Sequence, residues 1–67
     1  MKPYQERAIE EKKLLDEKLG KLQTFLTQPA NKIPTLPEVE MKLLRRQAKI
    51  MELYSEVLAE RLAGFGN

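Results

Sequence analysis

Apolar residues recur along two stretches of this chain at the spacing of a single helix face, and a proline-bearing stretch divides them. In the first stretch Leu15, Leu19, Leu22 and Leu26 follow helical steps, which predicts a helix over 3–27. Pro3 suits its first turn, where the missing N–H would be unpaired in any case. Arg7–Glu11, Lys12–Asp16, Lys13–Glu17 and Glu17–Lys21 are opposite charges one turn apart and support it. Gly20 is its weak point. Pro29, Asn31 and Pro34 predict a loop over 28–36. A second helix is expected over 37–63, with neither Pro nor Gly between Glu38 and Ala63. Thr35 and Glu38 have the spacing of a capping box, although Pro37 in its usual first position would make Leu36 the cap residue. Gly64 is expected to stop this helix, with Phe65 folding back on it.

Steps of seven sort the second helix into rows. Leu36, Leu43, Ile50 and Val57 form one apolar row, and Leu44, Met51, Leu58 and Phe65 the adjacent one. A mixed row, Glu40, Gln47, Tyr54 and Arg61, flanks the first of these. The first helix has an apolar row at Ala8, Leu15 and Leu22, between Tyr4, Glu11, Lys18 and Phe25 on one flank and Lys12, Leu19 and Leu26 on the other. Folding at the loop is expected to pair Ala8 with Val57, Leu15 with Ile50 and Leu22 with Leu43 in a dry seam. Tyr4–Arg61, Glu11–Tyr54 and Lys18–Gln47 would then form a polar seam beside it. Leu44, Met51, Leu58 and Phe65, with Leu19 and Leu26, are left for a second interface. The expected fold class is therefore all-α: an antiparallel two-helix hairpin that completes its core by oligomerisation. A four-helix bundle dimer about a two-fold axis is the simplest closure, and a larger assembly or a different partner would also serve.

Size strengthens the case for a partner. A chain of 67 residues is a single domain and buries too little surface to be comfortable alone. It has neither Cys nor His, which removes disulfides, zinc, haem and iron–sulfur centres, so no cofactor or metal is expected. The same absence leaves no Ser-His or Cys-His pair, and a non-enzymatic protein is the expectation. No apolar run is long enough to span a bilayer, and the start of the chain does not read as a signal peptide. A cytoplasmic protein without a membrane partner is expected.

Two polar constellations carry the candidate chemistry. Arg7, Glu11 and Lys18 on the first helix and Gln47, Tyr54 and Arg61 on the second flank the apolar face at heptad spacing. They can satisfy one another and fix register, with Glu11 on the Tyr54 hydroxyl and Lys18 on the Gln47 amide. They can equally line a ligand pocket, in which Arg and Lys take phosphates and Tyr54 stacks on a base. The second constellation is basic: Lys42, Arg45, Arg46 and Lys49 share one narrow face, with Glu52, Glu56 and Glu60 in the other half of the helix. It reads as a solvated face, or as a contact for an anion or an acidic partner. The net charge of +2 is mild and no recognition-helix motif accompanies the cluster, so nucleic acid is the weakest candidate partner. Met41 and Met51 read as gap-fillers.

The order Arg7, Glu11-Lys12, Leu15, Lys18, Leu22, Phe25, then Leu43-Leu44, Gln47, Met51, Tyr54, Val57-Leu58, Arg61 resembles a family of very short helical-hairpin accessory proteins of tailed phages and prophages, including those of crAss-like phages. The likeness covers nearly all of the chain outside the loop, whose prolines depart from that family's shorter, aromatic-bearing loop. It implies a phage protein acting in the cytoplasm of a bacterial host cell, in an anti-defence role. By that analogy the expected function is a homo-oligomeric sponge that binds and sequesters a small phosphorylated immune signal, of the cyclic nucleotide or ADP-ribose type. An inhibitor or adaptor bound to a host defence protein is the alternative, and a structural or nucleic-acid-associated bundle is a third.

Overall fold

The computed structural model, described over residues 2–28 and 36–65, contains two helices, α1 (Pro3–Leu26) and α2 (Glu38–Phe65), packed as an antiparallel hairpin. The molecule is a rod of 48 × 16 × 15 Å. Local chemistry accounts for the start of α1. Pro3 occupies its first position, the Lys2 carbonyl accepts from the Gln5 and Glu6 N–H groups at 2.9 and 3.1 Å, and the Gln5 side chain accepts from the Lys2 N–H at 3.0 Å. At the other end Thr27 caps the helix, its N–H donating to the Gln23 carbonyl and its hydroxyl to that of Thr24. The first turn of α2 closes when the Met41 N–H donates to the Pro37 carbonyl at 3.1 Å. Thr35 and Asn31 lie outside the described residues.

α2 does not stop at Gly64. It runs on to Phe65, and no glycine among the described residues takes a positive φ. The physical reason lies in packing. Phe65 meets Tyr4 edge to face, with ring centroids 5.6 Å apart and planes at 90°, a geometry that favours aromatic pairs. Such a pair is worth about 0.5–1.5 kcal/mol beyond its buried area, the same size as the roughly 1 kcal/mol that a helical glycine costs.

The seam between the helices uses different rows from those expected. Ala8 and Leu19 of α1 and Ala48 and Leu58 of α2 are buried, Leu58 completely. Leu15, Leu22 and Leu26 on one side, and Met41, Leu44, Met51, Leu62 and Phe65 on the other, are half-buried around them. Leu44, Met51, Leu58 and Phe65, expected to be free for a second interface, therefore fill the hairpin's own seam with Leu19 and Leu26. Leu43, Ile50 and Val57, expected in the seam, stand exposed. The difference is a rotation of α2 by one residue, about 100° about its axis. Ala48 and Ser55 explain the choice: they are small residues one heptad apart beside Leu44, Met51 and Leu58, so this face lets the helix backbones approach.

Candidate functional site

Three interhelical side-chain hydrogen bonds among the described residues, in two groups, tie the hairpin together. Lys12 Nζ donates to Asp16 Oδ2 at 2.6 Å and to Ser55 Oγ at 3.2 Å, and Ser55 Oγ donates to Asp16 Oδ1 at 2.6 Å. These bonds, from Lys12 first and then Ser55, with the Lys12 charge adding to them, hold the Asp16 carboxyl below its ordinary value against a small opposing effect of burial. Further along, Gln23 Nε2 donates to Glu52 Oε1 at 2.9 Å. Sequence reasoning recognised Lys12–Asp16 only as a helix-surface pair. The signal it missed was Ser55, the one hydroxyl in the row Ala48, Ser55, Leu62.

These contacts also orient the hairpin's two sides. Gln23–Glu52 marks one side and Tyr4–Phe65 the other. On α1, Tyr4 stands in the row of Glu11, Lys18 and Phe25, and Arg7 lies one turn from both Tyr4 and Glu11. On α2, Phe65 lies one turn beyond Arg61, which continues the row of Tyr54 and Gln47. Helical periodicity thus gathers Arg7, Glu11, Lys18, Gln47, Tyr54 and Arg61 on the Tyr4–Phe65 side.

All of these side chains are exposed, and Tyr54 keeps 42% of its surface open. The mutual pairs expected of them do not form among the described residues. Tyr4 packs on Phe65 in place of Arg61, and the Gln47 amide turns to Met51 Sδ at 4.0 Å. The hydrogen bonds and ion pairs of the described residues include none that joins Glu11 to Tyr54 or Lys18 to Gln47. Along this side the six residues therefore present three cations, one carboxylate, one amide and the Tyr54 phenol ring to solvent.

The basic constellation has a different setting from the one expected. Lys42, Arg45, Arg46 and Lys49 are exposed, and Lys49 approaches Glu52 at 3.7 Å. Because the exposed apolar row is Leu43, Ile50 and Val57, Lys42 and Arg46 border it instead of lying away from the apolar surface. Lys42 and Arg46 share an open concavity of about 320 Å³ with Val39 and Leu43. Among the described residues no group of His, Cys, Asp and Glu could hold a metal ion, and no helix is long and apolar enough to cross a membrane.

A family model described as Sequestin matches residues 2–63. The chain belongs to the Sequestin family. The match takes in α1, the whole of the intervening segment and all of α2 but Gly64 and Phe65, so Arg7, Glu11, Lys18, Gln47, Tyr54 and Arg61 of this Sequestin lie within it. No curated protein and no solved structure matches the chain.

Proposed function

We propose that this Sequestin is a non-enzymatic accessory protein of a phage that binds a small phosphorylated nucleotide signal of host defence and withholds it from its receptor. The observation that carries the reading is the Tyr4–Phe65 side of the hairpin, along which Arg7, Lys18, Tyr54 and Arg61 are all exposed and unspent on one another. Arg7 and Arg61 offer planar forks that match phosphate oxygens, and Lys18 adds a mobile charge. Tyr54 gives a base a ring to stack on. The Gln47 amide reads donors and acceptors on the base edge, and Glu11 accepts from ribose hydroxyls. The family's name suggests sequestration, which fits a stoichiometric binder. The sequence resemblance to phage and prophage hairpins supports the setting in an infected bacterium. The chain's lack of His and Cys leaves the face without the usual nucleophile–base pair, so a bound ligand is held and not converted.

Thermal-shift titration with cyclic di- and trinucleotides and ADP-ribose derivatives tests the reading. A ligand at about 100 times its dissociation constant adds roughly 2.7 kcal/mol to the native state. Tyr54→Ala and Arg61→Ala should each abolish that shift while leaving the helical signal unchanged. Denaturing the complex should return the nucleotide intact. Wild-type binding by both variants would place the ligand elsewhere, and a chemically altered nucleotide would make the protein an enzyme.

A further inference from the structure

α2 carries a second apolar row, nearly opposite the one that packs on α1. Val39, Leu43, Ile50, Leu53 and Val57 alternate by steps of four and three, with Arg46 in the one remaining position between Leu43 and Ile50. That is the spacing of a helix–helix seam. Every one of these residues is exposed, and Ile50, at the middle of the row, keeps 58% of its surface open. α1 has no counterpart, since its exposed Ile9 and Leu14 fall on different faces.

Charge along the same helix says what covers the row. Lys42, Arg45, Arg46 and Lys49 give the first half of α2 a net positive charge despite Glu38 and Glu40 in its first turn, and Glu52, Glu56 and Glu60 give the second half a net negative one despite Arg61. A second α2 laid antiparallel over the first sets each basic half against an acidic half. Parallel pairing would set like on like. A helix whose two halves are complementary in charge, with an apolar row down the middle, is complementary to itself about a two-fold axis.

We propose that a second copy of this chain docks antiparallel on the outer face of α2, through Val39, Leu43, Ile50, Leu53 and Val57. The two-fold axis then stands normal to the layer of helices, and both copies turn their Tyr4–Phe65 sides the same way. Gln47, Tyr54 and Arg61 lie one turn beyond Leu43, Ile50 and Val57, so they border the junction. Their equivalents in the second copy face them across it. The pairing stands on the apolar row and the charges alone. Its further consequence, that the nucleotide is held in the cleft between the two copies, rests on the function proposed above.

The mass of the nucleotide-free full chain in sedimentation tests the pairing apart from the ligand. The expected result is two copies, reduced to one by Ile50→Glu with the helical signal retained. The substitution should raise the dissociation constant at least about 30-fold, the effect of removing a central interface residue. Orientation is read by thiol cross-linking, which the absence of native Cys makes clean. Leu43→Cys should cross-link to Val57→Cys in a mixture and not to itself, and this pair decides the matter if Ile50→Glu fails to fold. A single-copy mass, with the row left for another kind of partner, overturns the proposal. So does an assembly indifferent to Ile50→Glu, or self-linkage of Leu43→Cys. If dimerisation survives these tests but no nucleotide binds, the function fails and the pairing stands.

Discussion

Val57 and Leu58 are neighbours with opposite fates, and truncating each to Ala tests the seam. Leu58 has no exposed surface, so Leu58→Ala removes a full complement of contacts and leaves a cavity between α1 and α2. Such substitutions cost about 2.7–5 kcal/mol. For a domain of this size that lowers the melting temperature by on the order of 20 °C. Val57 is half exposed in the single hairpin. There, Val57→Ala forfeits only part of a smaller burial and regains about 0.5 kcal/mol of helix propensity, so the net change is near zero. Circular dichroism during urea or thermal unfolding reads both, at concentrations low enough to keep the chain as single copies. The reasoning is refuted if Val57→Ala costs as much as Leu58→Ala under that condition, because α2 would then present the other row to α1.

The remaining predictions probe local features. A Cβ built on Gly20 meets nothing within 4 Å, so Gly20→Ala should stabilise the hairpin by about 0.5–1 kcal/mol, seen as a higher unfolding midpoint at unchanged slope. Asp16 binds its proton less readily in the folded chain than its ordinary value of 3.8 implies. Its contribution is therefore present above that value and lost as pH falls through the lower, folded one. Urea unfolding of the native chain and of Asp16→Asn, compared between about pH 5 and about pH 2, should show the native chain losing its advantage only at the acid end. An advantage that changes near neutral pH would mean that the tie to Lys12 and Ser55 does not govern this carboxyl.

Much of the fold could be read in the sequence, because its signals are local. The leucine spacing of 15–26 and the prolines of the intervening segment specify a hairpin, and Pro3 marks the start of α1. Rotation about the α2 axis was less legible. Two apolar rows, one led by Leu43 and the other by Leu44, offer similar hydrophobic area, so area alone does not choose between them. Backbone approach does, through Ala48 and Ser55, and small residues carry little weight in a reading based on hydrophobicity. The candidate site depends on the same rotation. Its residues share a side of the hairpin only for the rotation found, since the Gln47, Tyr54 and Arg61 row lies between the two apolar rows and the other rotation would turn it to the Gln23 side. What the sequence could not supply was their freedom from one another, because Tyr4 takes Phe65 as its partner.

A hairpin whose seam fully encloses so few side chains leaves almost every other position outside its core. Substitutions at exposed helix positions usually change stability by no more than about 0.5 kcal/mol. The face that bears Arg7, Lys18, Tyr54 and Arg61 can therefore be rewritten residue by residue without unfolding the scaffold that displays it. On the function proposed above, that separation would let the face change to follow an altered signal, while Ala8, Leu19, Ala48 and Leu58 stay as they are.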